Sequence, residues 1–307
     1  MGLDILNPLR FIVNRVVLSK AGMDPRVFIT NFYLQSLFIP IKNKLFRCGA
    51  EPIFKQDGAT KNDCEQNASL RLLKNIRENH PKLQLIVVED GLYSKGLYIK
   101  AIRELNMDFI IITKESDHEA LFQQIRMYSE FNEIHTFTTK ENEEFIHEFR
   151  FKNQVLLNGS SDQKVNFLEY WKYELKTHKK KHWVLVTSIK ITEDTVMDLM
   201  RGGRARWCIE NQTFNTLKNQ GYHFEHNFGH GYRNLSTNFA LLMLLAFAID
   251  QLQEHCCRIF KKALEKNHSR IVFWETMRSR FLTFLFQSWE DFFHSLAFKK
   301  VMIYDSS

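Results

Sequence analysis

Apolar and polar residues change rhythm several times along the chain, and each change predicts a different element. Leu83-Gln84-Leu85-Ile86-Val87-Val88 is an almost unbroken aliphatic and β-branched run, which predicts a strand buried on both faces. Ser94 to Leu105 has helical spacing, and Phe109-Ile110-Ile111-Ile112-Thr113 is a second buried strand. Strand, helix and strand in that order imply a parallel pair with a crossover helix. Asp90 follows the first of these strands, at the carboxyl end where open α/β sheets place their chemistry. Upstream, Pro52 to Phe54 closes a strand and Gln56-Asp57-Gly58 marks a turn, and Asp63 is placed to cap a helix running to about Asn79. Residues 117–130 predict another helix.

After residue 130 the period drops towards two. Ile134 to Thr138, Phe145 to Leu157, Val165 to Tyr173 and Trp183 to Ile191 alternate between turn-rich links, a β-rich insertion. A helical segment then starts at Thr192 to Asp194, is interrupted or flexed at Gly202-Gly203, and contains Glu210. Further helices are expected over roughly Ser236 to Leu264 and Ser269 to Phe298. The aromatic residues of the last one suit a core or a subunit contact. Residues 1–48 are apolar and aromatic without turn chemistry to organise them.

Composition sharpens this picture. The chain has 307 residues, 44% hydrophobic, with 27 Phe, so a large core is available. A net charge of +7 and a pI near 9.0 point to an acidic partner, nucleic acid first. The five cysteines (Cys48, Cys64, Cys208, Cys256, Cys257) form no framework, which suits reduced thiols in the cytoplasm. The run Phe239 to Ile249 is too short to span a bilayer and the N-terminus has no signal pattern, so a soluble protein that is not exported is expected.

One carboxylate stands out. If residues 206 to 218 are helical, Trp207, Phe214 and Leu217 share an apolar stripe and Glu210 projects from its middle. A carboxylate among core-facing residues needs a cation or hydrogen-bond donors. Arg206 lies one turn before it and Lys218 two turns after. Either Arg206 simply satisfies Glu210 at i,i+4, or the acid holds a metal ion beside a phosphate backbone. Lys176, Lys179, Lys180 and Lys181, with His178 and His182, are expected at a hairpin tip, where they contact phosphate or are merely solvated. Arg201, Arg204 and Arg206 could clamp a DNA end. Trp207 suits the core better than a stacked base. His223, His226 and His230 lack a cysteine spacing for zinc and sit in a Gly-rich loop.

Several motifs together resemble a known family. They are Glu51-Pro52-Ile53 with Lys55-Gln56-Asp57-Gly58, Lys61-Asn62-Asp63-Cys64-Glu65, Val87-Val88-Glu89-Asp90-Gly91-Leu92, Arg201-Gly202-Gly203-Arg204-Ala205-Arg206-Trp207 through Ile209-Glu210-Asn211 to Lys218, and Gly221-Tyr222-His223 to Gly231. From about Glu51 to Phe298 the chain resembles the cut-and-paste DDE transposases of bacterial insertion sequences. The resemblance implies an α/β fold: an RNase H-like mixed sheet flanked by helices, interrupted by the β-rich insertion and followed by a C-terminal helical region. The parts would be 1–48, a divergent or truncated segment; 49–131, the first part of the core; 132–191, the insertion; and 192–307, the last part of the core with the C-terminal helices.

It further implies that Asp90 is the second catalytic acid and Glu210 the third, both holding Mg²⁺ or, in its place, Mn²⁺. Arg201, Arg204, Arg206, Lys218, Lys179, Lys180 and Lys181 would contact DNA. The partners implied are double-stranded DNA, as transposon ends and target, and a second copy in a homodimer on DNA, with no membrane, in a bacterial cytoplasm at the nucleoid. Three departures stand out. The family's signature Tyr is Gly203 here, its Lys falls one residue late at Lys218, and no first Asp in a strand setting is found in residues 1–48, where Asp4 and Asp24 lie in unsuitable surroundings. The expected activity is DNA nicking and strand transfer. A catalytically dead DNA-binding remnant and a related metal-dependent nuclease are the alternatives.

Overall fold

A computed structural model describes residues 27–30, 35–41, 44–51, 65–158, 163–208, 215–224, 226 and 235–298. Its contacts divide the chain into two compact units, Met1–Cys208 and Ile209–Ser307.

The first unit is built on one nine-stranded mixed sheet of order β3-β2-β1-β4-β5-β9-β8-β7-β6. Its strands are β1 (Val27–Thr30), β2 (Gln35–Ile41), β3 (Lys44–Glu51), β4 (Leu85–Glu89), β5 (Asp108–Ile112), β6 (His135–Glu141), β7 (Phe145–Leu156), β8 (Lys164–Glu174) and β9 (Lys179–Thr187). Strands β1, β4 and β5 run parallel, and all other neighbours are antiparallel. This is the RNase H-like arrangement. The insertion strands continue its sheet directly, because β9 pairs with β5. The segment that gave no turn signal also has order, since residues 27–51 contain a three-strand meander.

Strand alternation sorts the core into two layers. Leu85, Val87, Phe109 and Ile111 face helices α1 (Glu65–Asn79), α2 (Gly96–Glu104) and α3 (Glu119–Glu130), through Leu72, Leu73, Ile76, Ile99, Ile102, Leu121 and Ile125. Ile86, Val88, Ile110, Leu168 and Leu185 face helix α4 (Glu193–Cys208), through Val196, Leu199 and Met200. The glycines Gly202-Gly203 do not interrupt α4. A Cβ added to Gly203 would lie 3.0 Å from Leu185 Cδ2 and 3.3 Å from Ile110 Cγ2. The missing side chain lets the helix lie close on β5 and β9, and this packing overrides the low helix propensity of glycine. A tyrosine at this position has no room, which accounts for one departure from the family's signature.

Helices α5 (Asn215–Asn219), α6 (Leu235–Cys256), α7 (Arg258–Lys266), α8 (Arg270–Thr283) and α9 (Trp289–Phe298) belong to the second unit. Two helices expected as single are each divided. The first breaks at Cys257, whose Sγ accepts from the Phe260 amide and caps α7. The second breaks between Thr283 and Trp289, where Phe284 is extended. Phe260, Ala263, Phe273, Phe292, Phe293 and Leu296 then form a local core. Helix α6 extends beyond the apolar run seen in the sequence, so that Thr237–Cys256 is long and apolar enough by length and composition to cross a membrane. Two of its acids have protein partners: Asp250 accepts from Tyr222 Oη at 2.6 Å and Glu254 pairs with Arg270.

Candidate functional site

The carboxyl end of β4 presents two consecutive acids with opposite fates. Glu89 continues the alternation of Leu85 and Val87 and is 1% exposed beneath α1 and α2. Its Oε1 accepts from Tyr98 Oη at 2.8 Å and from Ser69 Oγ at 3.4 Å. Burial first, then the Glu89 charge, raises the Tyr98 phenol well above its ordinary value, so it remains a donor. Asp90 has extended backbone, so the alternation carries it to the α4 side of the sheet. It is half-buried, and its Oδ1 accepts from the Leu92 amide at 3.0 Å, capping the 3-10 turn Gly91–Tyr93. Glu89 is a structural acid, whereas Asp90 stands at the carboxyl end of a central strand.

On the same face, α4 and the insertion strands bring cations together. The β8–β9 register sets Lys172 opposite Lys181 and Glu174 opposite Lys179. These four residues line a cleft of about 220 Å³ with Phe145 and Arg204. Lys172 Nζ lies 3.6 Å from the Phe145 ring centroid, and Arg204 Cζ lies 4.9 Å from that of Trp183. Lysines directly opposite on neighbouring strands repel one another, and one glutamate offsets only part of four positive charges. The cluster is therefore suited to an anion.

Lys179, Lys180 and Lys181 are not at a hairpin tip. The turn is Leu175–His178, with His178 in the left-handed region at φ 54°, and the three lysines begin β9. Period-two alternation separates them: Lys179 and Lys181 face the cleft, while Lys180 lies over Trp171 and Tyr173 on the other face, 5.3 and 5.0 Å from their ring centroids. Lys172 was missed from the sequence, because its placement requires the strand register.

Arg201 is 3.7 Å from both Glu141 and Asp198. Glu141 Oε2 also lies 3.1 Å from His147 Nε2, and His147 Nδ1 is 2.8 Å from Tyr170 Oη. Burial lowers the pKa of His147 and pushes the Tyr170 phenol up to about 12. Burial also raises the Asp198 carboxyl, opposed by Arg201.

Arg206 lies in α4, but its side chain, like that of Trp207, is outside the described residues, as are Glu210 and Phe214 altogether. Leu217 is buried, as the apolar stripe required, and Lys218 is in α5. Strand β1 pairs in parallel with β4, Thr30 opposite Val88, and its residues Val27-Phe28-Ile29-Thr30 include no acid. Asp57, Asp63 and the turn before α1 lie outside the described residues. Among the described residues, no group of three His, Cys, Asp or Glu residues could hold a metal ion.

No curated protein matches the chain. A family model for the transposase DDE domain does match, over residues 51–249. That span takes in β4 with Asp90, the insertion, α4 and the Glu210 segment, more than half of the 307 residues. The chain belongs to the transposase DDE domain family.

Proposed function

We propose that this transposase nicks DNA at transposon ends by metal-dependent phosphodiester hydrolysis and joins the freed 3′ hydroxyl to target DNA. The observation that carries the reading is the shared sheet face. Asp90 ends a central parallel strand on the side covered by α4, and the Lys172, Lys181 and Arg204 cluster lies on that side too. Asp90 and Glu210 would hold a divalent ion, and their hard carboxylate oxygens suit Mg²⁺, with Mn²⁺ able to replace it. Bound there, such an ion lowers the barrier to in-line displacement by stabilising charge on the attacking and leaving oxygens. Asp90 alone among the described residues supplies this chemistry, so the fit depends on Glu210 joining it.

The remaining residues position DNA. Lys172, Lys179, Lys181 and Arg204 bind backbone phosphates, which fix register without reading sequence. Arg201 supports this face through Glu141 and Asp198 and stands ready for a strand end. Lys180 contacts the backbone from the opposite face of the insertion. Arg206 and Lys218, at positions matching the family's signature, hold phosphates near the scissile bond. The partners are duplex DNA and a second copy of the chain, in the cytoplasm at the nucleoid and away from membranes.

A second reading has a specific observation in its favour. The first strand, in register with β4, offers no acid where the family resemblance requires one. A chain with two acids would bind DNA ends and lose nearly all cleavage. A nicking assay with Mg²⁺ or Mn²⁺, on a duplex carrying a transposon end, separates the readings. Cleavage lost in Glu210→Ala supports the transposase. Retarded but uncut DNA supports the inactive binder, and nicking without joined product supports a simple nuclease.

A further inference from the structure

We infer that His118 is a positioning residue that holds the Asp90 loop in place and ties it to the β7–β8 connection of the insertion. The inference rests on Asp90 being a metal ligand. His118 is 5% exposed, directly before α3. It occupies the cap position without giving that helix a side-chain bond. Its ring instead reaches in two other directions. Nε2 lies 2.7 Å from Ser94 Oγ, and Nδ1 lies 3.2 Å from Asn158 Oδ1.

Ser94 passes the connection on. It is 2% exposed, and its Oγ donates to the Gly91 carbonyl at 2.6 Å, which leaves its lone pairs to accept from Nε2–H of His118. Nδ1 of the neutral ring is then the acceptor, and the Asn158 side-chain amide turns to present its NH₂ to it. The Ser94 amide donates to the same carbonyl at 3.2 Å. Gly91 immediately follows Asp90, and the next amide, of Leu92, donates to Asp90 Oδ1. An unbroken chain of hydrogen bonds and peptide links therefore runs from Asn158 through His118 and Ser94 to the carboxylate.

The surroundings make this chain matter. The loop borders a cavity of about 400 Å³, so packing on that side is incomplete and hydrogen bonds must fix its path. A Cβ on Gly91 would lie 3.6 Å from the Ile112 carbonyl, so the loop passes close to the end of β5. Asn158 ends the described part of β7's exit, before the link to β8. The exit of β7 at Asn158 is thereby connected to the Asp90 loop. Buried polar groups that orient a metal ligand commonly change metal affinity by about 10- to 100-fold when removed. In a buried network, loss of one member also leaves its neighbours unsatisfied.

The test uses the full chain and four variants: His118→Ala, His118→Gln, Ser94→Ala and Asn158→Ala. Amide hydrogen exchange over residues 90–95 is measured beside Mn²⁺ binding and the Mn²⁺ dependence of nicking. His118→Ala and Ser94→Ala should each speed exchange at Gly91 to Lys95 by about tenfold or more and raise the half-saturating Mn²⁺ by a similar factor. Nicking at saturating Mn²⁺ should fall less. His118→Gln, which returns a donor to Ser94, should recover most of the loss, and Asn158→Ala should give a smaller change of the same kind. Folded Ser94→Ala and His118→Ala proteins with wild-type exchange over 90–95 overturn the inference. If His118→Ala fails to fold, Ser94→Ala and Asn158→Ala decide by the same criterion. Asp90→Ala separates the two claims: unchanged Mn²⁺ binding in that variant refutes the reading of Asp90, while exchange in the other variants still reports on the tie.

Discussion

The two faces of the central sheet are built to different standards. Under α1, α2 and α3 the layer is closed, and Glu89 is buried in it with Oε1, though not Oε2, met by Tyr98 and Ser69. Under α4 a single helix covers the sheet, a glycine brings it close, and positive charge collects beyond the apolar layer. Polar groups buried on the first face serve the fold. On the second face an acid stands at a strand end and cations outnumber their acidic neighbours, an arrangement we propose serves metal and phosphate. Glu89 at the end of β4 and Asp90 just past it thus meet different surroundings, and sequence adjacency says nothing about which is which.

That contrast is sharpest at positions 89 and 90, where variants should behave in opposite ways. Asp90→Ala should cost the fold no more than about 1 kcal/mol, the worth of a lost cap, and reduce metal-dependent nicking on the order of a hundredfold or more. A stable variant that retains full activity would remove Asp90 from the site. Glu89→Ala should do the reverse. It leaves the bonded pair of Tyr98 and Ser69 hydroxyls one acceptor short in a buried cavity and should destabilise the fold by about 2 kcal/mol in urea titrations, with nicking retained by the fraction still folded.

Gly203→Tyr probes the close approach of α4. The ring would have to displace Leu185 and Ile110, so a loss of about 3 kcal/mol in chemical denaturation is expected. Wild-type stability would mean that the helix can lift away freely.

Smaller effects lie among the cations. Lys172→Ala and Lys181→Ala should each weaken DNA binding similarly across sequences and reduce the slope of log affinity against log salt by about one. Lys180→Ala, on the opposite face, should change that slope less if the cleft is the main phosphate contact.

The smallest expected effect is in pH. Burial depresses the His147 pKa below its ordinary 6.5, so the folded state favours the neutral ring. Its contribution to stability is fully present above pH 6.5 and is lost as the pH falls below that value. His147→Gln should therefore show a shallower loss between pH 7 and 5 in thermal melts than wild type.

Much of the first face was legible because continuous β-branched runs have few other folds open to them. Strands β4 and β5, Asp90 at the strand end and the four insertion strands all follow from period and composition. What escaped depends on partners distant in sequence. The meander of β1 to β3 has apolar residues without turn residues between them. Gly202-Gly203 reads as a flexible point until the sheet beneath is known. The β8–β9 turn uses His178 in a conformation normally given to Gly or Asn, so Lys179 to Lys181 were placed in the turn instead of the strand. Cys257 caps a helix in a role more often filled by Ser or Asp, which hid the break between α6 and α7.

The account depends most on Asp90 and Glu210 gripping the same ion. A double-mutant cycle of Mn²⁺ binding, followed by electron paramagnetic resonance on wild type, Asp90→Ala, Glu210→Ala and the double variant, measures this directly. A shared site predicts that either single change removes most of the tight binding and that the second adds little. Two independent, additive losses, or unchanged binding in both single variants, would contradict it.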